Sequence, residues 1–176
     1  MYCVQPITPE ILYVGGSDRR LTLFENTYPL SRGVSYNAYL VLDEKTVLMD
    51  TVDWAIGERF FENLTHALEG RTLDYVVVNH MEPDHCASIA DVIAVYPEAK
   101  IVCTAKAVGM MKQFFDFDVD SRAILVKEGD TISVVMNEHV DYNGKTYPIA
   151  SLPENLMSII RAGGLVKAMR KLNGLD

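Results

Sequence analysis

Three cysteines and four histidines are all that the 176 residues offer to soft or borderline metal chemistry. Cys3, Cys86 and Cys103 are odd in number and never spaced C-x-x-C. That argues against a disulfide framework or a zinc knuckle and points to a reducing setting, the cytoplasm. Positive charge is scarce as well: 16 Lys and Arg stand against 24 Asp and Glu, for a net charge of −8. No Lys/Arg run interrupts that field, so nucleic acid is not an expected partner. No apolar stretch approaches the roughly 20 residues of a membrane span. The opening "MYCVQPITPEIL" lacks a cationic start with a long apolar core, so neither a membrane partner nor a signal peptide is expected. Internal repeats and low-complexity segments are absent too. What is present is ordinary for a globular chain, 49% hydrophobic and 23% charged, and the length suits one domain, or one with an appendage.

Along the chain, "ILYVGG" at Ile11–Gly16 reads as short strand, followed by a polar, irregular stretch through Gly33. Tyr39–Leu42 and Thr46–Met49 flank the turn-like Asp43-Glu44-Lys45, a hairpin signal. Asp53 can cap a helix from Trp54 to about Leu68, where Phe60, Phe61, Leu64, Ala67 and Leu68 recur at helical spacing and Gly70 ends it. "LDYVVV" is a strand of the kind buried on both faces. "CASIADVIAVY" follows as helix, "KIVCT" as strand, "AKAVGMMKQFF" as a helix capped by Thr104, and "SRAILV" as strand. This alternation predicts an α/β layered fold with parallel pairing from Leu73 onward. "DTISVVM" reads as strand, Asn143-Gly144 as a hairpin turn, and "LPENLMSIIRAGGLVKAMRKL" as helix broken at Gly163-Gly164.

The chemistry concentrates in "VVVNHMEPDHCAS", where His80, Glu82, Asp84 and His85 fall within six positions behind an apolar strand. A strand that ends in a loop aims its donors outside the sheet edge. His80 and Glu82 are two apart and leave an extended backbone on one side. Pro83 is expected to delay the next helix and turn the chain, so the loop can offer two histidine–carboxylate pairs to two neighbouring ions. The mix of imidazole and carboxylate accommodates iron, manganese or zinc. Cys86 reads as a small buried thiol in preference to a soft ligand.

H-x-E-x-D-H at His80, Glu82, Asp84 and His85 resembles the diiron motif of flavodiiron proteins, a metallo-β-lactamase-like pattern with glutamate at its second position. "VGGSDRRLTLFENTYPLSRGVSYNAYLVLDEKTVLMDTVDW" and "EAKIVCTAKA" extend the likeness over about residues 3–133. The resemblance implies a partial metallo-β-lactamase-like fold: an αββα half-sandwich over residues 1–133, with a C-terminal hairpin-helix appendage over 134–176. It also implies dinuclear iron that reduces dioxygen or nitric oxide, with His80 and Glu82 on one ion and Asp84 and His85 on the other. FMN would come from another chain, through a homodimer or an external flavodoxin-like or rubredoxin-like electron donor. The family's later ligands find no match. His139 and Asp141 stand nearby without the flanking pattern, and no catalytic residue is carried over.

The tail, about residues 137–172, resembles the C-terminal end of the isopropylmalate dehydratase small subunit, with "GDTISV" as the seam of a truncated or chimeric chain. Two alternatives to flavodiiron chemistry are therefore a non-catalytic metal-binding or interaction module and a metal-dependent hydrolase of the metallo-β-lactamase superfamily. Glu82 speaks against the hydrolase. Half a sandwich leaves one apolar sheet face to be covered by the tail or by a second copy. Asp50-Thr51 ends a strand near the loop and reads equally as a plain strand terminus or as a group that orients a histidine from behind. Tyr36 and Asn37 read as packing and turn residues, His66 as surface, and Met110, Met111, Phe114 and Phe115 as core.

Overall fold

The computed structural model describes residues 2–24, 26–127, 129–130, 140–142 and 145–147. The chain divides into two compact units, Met1–Ile132 and Ser133–Asp176. The first unit begins with eight short strands: β1 (Gln5–Pro6), β2 (Ile11–Tyr13), β3 (Gly16–Asp18), β4 (Leu23–Phe24), β5 (Tyr28–Pro29), β6 (Val34–Tyr36), β7 (Tyr39–Leu42) and β8 (Thr46–Met49). Then come α1 (Gly57–Leu68), β9 (Tyr75–Val77), α2 (Pro83–Cys86), α3 (Ile89–Val95), β10 (Lys100–Thr104), α4 (Ala105–Phe114) and β11 (Ala123–Val126).

Seven strands form one sheet in the order β1-β2-β7-β8-β9-β10-β11. Pairing is antiparallel up to β8 and parallel from β8 to β11. The hairpin and the parallel βαβ units fall where the alternation of apolar runs puts them. Register then lines up one continuous apolar row across six strands: Leu12, Leu40, Leu48, Val76, Ile101 and Ala123. Phe60 and Leu64 of α1, Ile89 and Val92 of α3, and Met111 of α4 close over that row to make the core. The opposite face carries Val41, Val47, Val77 and Val102, which are buried too, as a strand apolar on both sides requires.

Local chemistry sets the helix ends. Asp53 Oδ1 accepts from the Ala55 N–H at 2.8 Å and opens a 3-10 turn, Trp54–Ile56, that runs into α1. α1 stops where Glu69 (φ 49°) and Gly70 (φ 86°) turn left-handed. Thr104 Oγ1 accepts from the Ala107 N–H at 3.2 Å and caps α4.

Three expectations need correction. Pro83 does not delay the helix; it occupies the first turn of α2, the one helical place where its missing N–H costs nothing. The stretch from Ser17 to Gly33 is not wholly irregular, because β3 pairs with β6 and β4 with β5. Phe114 is exposed, whereas Met111 is fully buried.

In the second unit β12 (Val140–Tyr142) pairs antiparallel with β13 (Lys145–Tyr147). Tyr142 opposes Lys145; the turn read at Asn143-Gly144 lies outside the described residues. The strand read at "DTISVVM", the helices after Leu152, His139 and the covering of the sheet by the tail lie outside the described residues. Among the described residues no helix is long and apolar enough to cross a membrane.

Candidate metal centre

β8 and β9 run parallel with Met49 beside Val77, so the segments that leave them emerge at the same end of the sheet. Asp50 follows β8 and His80 follows β9. The Asp50 N–H donates to the Val77 carbonyl at 2.9 Å, which carries the ladder one step past the strand. There Asp50 adopts φ 56°, a left-handed conformation that aspartate tolerates better than most residues. Its carboxylate accepts twice from Asn79, from the backbone N–H at 2.7 Å and from Nδ2 at 3.1 Å. The start of the donor loop is thereby tied to the neighbouring strand's end.

The far side of the loop is pinned as firmly. The N–H and Oγ1 of Thr51, itself fully buried, both donate to the His85 carbonyl, at 2.9 and 2.7 Å. The N–H groups of His85 and Cys86 both donate to the Glu82 carbonyl at 2.9 Å and close the first turn of α2. Ser88 Oγ reaches the Val52 carbonyl at 2.9 Å.

Within this frame His80 Nε2 stands 3.0 Å from Glu82 Oε2, the same-side placement that their spacing predicts. One ligand atom from each of His80, Glu82 and Asp84 lies within 4.8 Å of the others. Ligands each roughly 2.1 Å from one tetrahedral ion stand about 3.4 Å apart, so the three groups come within reach of a shared ion by side-chain rotation. His85 stands beside this trio: its ring centroid is 5.6 Å from that of His80, Nε2 is 3.5 Å from Asp84 Oδ2, and Nδ1 is 3.9 Å from Asp50 Oδ2.

Two atoms here are buried without a hydrogen-bond partner among the described residues, Asp84 Oδ1 and His85 Nδ1. An unmet buried acceptor costs ~1–3 kcal/mol, and more when charged. A carboxylate oxygen and an imidazole nitrogen are also the atoms a borderline divalent ion takes. The residues fit a metal.

Neighbouring groups keep their protons. Burial, then the negative charges of Asp84 and Asp50, push the Cys86 thiol up to about 11; its Sγ donates to the Met81 carbonyl at 3.3 Å. It is a buried thiol. Burial, then Asp53, Asp18 and Asp84, push Tyr36 up to about 12.

The model of the ODP family beta lactamases matches residues 34–143, more than half of the chain. This chain belongs to that family. The match takes in β6 to β11 and so the whole donor loop of the ODP family domain. Among curated proteins, the anaerobic nitric oxide reductase flavorubredoxin of Klebsiella pneumoniae is 32% identical over 151 residues, which is 85% of this chain and 31% of the relative. The flavodiiron protein of Giardia intestinalis superposes with a TM-score of 0.68 at 26% identity, over 76% of this chain and 32% of that one. The rubredoxin oxygen:oxidoreductase of Desulfovibrio gigas gives a TM-score of 0.67 at 21% identity, over 97% and 53%, and so shares the fold. The resemblance to flavodiiron proteins drawn from the H-x-E-x-D-H run holds, and so does the metallo-β-lactamase-like α/β class. The chain spans about a third of the length of the curated relatives it matches.

Asn79 escaped the reading of the sequence. Its signal was its place, a side-chain amide directly behind a buried strand and directly before the first histidine of the loop. Asp50 and Thr51 were legible as a strand terminus or as groups that steady a histidine. The structure makes Thr51 the direct holder of the His85 backbone and Asp50 the anchor of Asn79.

Proposed function

We propose that this ODP family domain supplies part of the dinuclear iron centre of a flavodiiron-type oxidoreductase that reduces dioxygen or nitric oxide. His80, Glu82, Asp84 and His85 hold the metal. Electrons come from FMN on another chain, in a homodimer or through an external flavodoxin-like or rubredoxin-like donor. Iron, when bound, supplies the change of oxidation state and the Lewis acidity. The chain's own residues fix the donors in place: Asn79 and Asp50 at one end of the loop, Thr51 at the other. Glu82 and Asp84 bring the negative charge that iron needs, and Tyr36 keeps its proton through neutral pH.

The observation that carries this reading is the convergence of His80, Glu82 and Asp84 beside two buried ligand atoms without a hydrogen-bond partner among the described residues. The test is metal content after anaerobic purification, followed by consumption of nitric oxide or dioxygen with chemically reduced rubredoxin or flavodoxin. Iron in the wild type, with a turnover that Glu82→Ala abolishes, is the expected result. Zinc together with hydrolysis of nitrocefin would move the domain to the hydrolases. Absence of metal in the wild type would refute the reading.

A further inference from the structure

We infer that the chain carries an anion site apart from its metal centre. Arg19 and Arg32, with the hydroxyls of Ser17, Ser31 and Ser35, bind a phosphate group, free or at the end of a small molecule, in a cavity over the β3–β6 ladder. The inference stands independently of the proposed function.

The ladder builds the site. β3 and β6 pair antiparallel, with Ser17 opposite Ser35 and Asp18 opposite Val34. Side chains alternate along a strand, so Ser17 and Ser35 share the outer face, where their hydroxyls stand 3.1 Å apart, while Asp18 turns inward and is buried. Gly33, just before β6, adopts φ 77°. A Cβ there would collide with the Asp18 carbonyl oxygen and stand 2.6 Å from the Arg19 Cα. Glycine therefore lets the segment that carries Ser31 and Arg32 close against Arg19. Together these residues line a cavity of about 660 Å³, within the size range of small-molecule sites.

The charge there runs against the rest of the chain. The net charge is −8, yet this cavity is lined by two guanidinium groups and no carboxylate. Among the described residues neither Arg19 nor Arg32 is held by an acid, and the neighbouring Asp18 is taken up by two side-chain bonds from Arg20. An adjoining cavity of about 640 Å³ shares Ser17 and Arg19 and adds Arg20 and Arg59 against Asp18 and Glu58, so the excess of positive charge continues across both. A guanidinium takes a phosphate through two parallel N–H bonds. Of two serine hydroxyls that share one hydrogen bond, one keeps its proton free to donate to a ligand oxygen. A carboxylate has too few oxygens to engage two arginines and a hydroxyl at once, whereas a tetrahedral dianion has enough.

The experiment is isothermal titration calorimetry of the full chain with inorganic phosphate and, separately, with ribose 5-phosphate. Sodium chloride at about 0.15 M screens diffuse attraction beyond roughly 8 Å. Saturable binding of one ligand per chain is expected, and the tighter of the two probes identifies the free ion or the ester as the occupant. Arg19→Gln and Arg32→Gln should each weaken it by about 10–100-fold, the loss of a charge-assisted contact. Lys106→Gln, outside the cavity, should leave it unchanged. Glu82→Ala should leave it unchanged as well, which separates this site from phosphate held on a metal. All four side chains are exposed, and far-ultraviolet circular dichroism checks that each variant folds. Absence of saturable binding, its loss in Glu82→Ala, indifference to both arginine substitutions, or equal weakening by Lys106→Gln would each overturn the site and leave the proposed function standing.

Discussion

Replacing Asp50 separates what its backbone does from what its carboxylate does. The carboxylate, 13% exposed, accepts the two hydrogen bonds from Asn79. Bonds to an ionised acceptor contribute about 1.5–3 kcal/mol each, and Asn79 is exposed, so the lower figure applies and the pair is worth ~3 kcal/mol. Alanine also inherits φ 56°, and a left-handed alanine costs about 1 kcal/mol more than glycine. Asp50→Ala should therefore lower the unfolding free energy by ~4 kcal/mol and Asp50→Gly by ~3 kcal/mol. Asp50→Asn, which keeps an acceptor and tolerates the conformation, should lose about 1 kcal/mol. Urea unfolding of the metal-free chains resolves these steps. Metal affinity should follow a different order, with the alanine and glycine variants both weakened by about 10–100-fold, because both free Asn79 and the start of the donor loop. An alanine variant that binds Mn2+ like the wild type would sink the idea that this carboxylate holds the loop. Equal stability of the alanine and glycine variants would remove the backbone contribution.

Other expectations concern the frame. Asn63, fully buried, donates Nδ2 to the Val14 and Gly15 carbonyls and accepts the Cys3 N–H on Oδ1. Asn63→Ala should cost ~2–4 kcal/mol in urea unfolding, and a loss below that range would mean that water replaces the amide. In the native chain a water-soluble thiol reagent should label Cys3 while Cys86 and Cys103, both buried, react only after denaturation; native labelling of Cys103 would contradict its packing. The Arg20 guanidinium, bonded to Asp18, holds that carboxyl below its ordinary range. A depressed folded value means the stabilisation is complete above the unfolded value near 3.8 and fades as pH falls through the lower folded one. Asp18→Asn should accordingly flatten the acid limb of stability below about pH 4, and an unchanged limb would count against the pair.

Much of this architecture was open to a reader of the sequence, and the reasons are local. The hairpin Tyr39–Leu42 with Thr46–Met49 declared itself because apolar runs flank a polar turn. α1 and α4 did so because Asp53 and Thr104 are good caps ahead of periodic apolar residues. β3 to β6 did not, since strands of two or three residues show no period and exist only through their partners. Proline misled at residue 83 because the same missing N–H that breaks a helix interior suits a first turn. Four potential ligands in six positions mark a metal loop in the sequence, but how they would share ions is not carried by spacing alone.

The strands of the main sheet follow one another across it in the order of the chain, from β1 at one edge to β11 at the other. No strand has to be threaded between two that are already paired. During synthesis each new strand can add to the edge that the previous one left, with α1, α3 and α4 covering the fresh apolar row as they emerge. Growth of this kind advances only one edge of the sheet, β1 staying as the other, and open edges are the feature through which unfinished sheets associate wrongly. The donor loop, between the fifth and sixth strands of a chain-ordered build, is complete before the last two strands have been made.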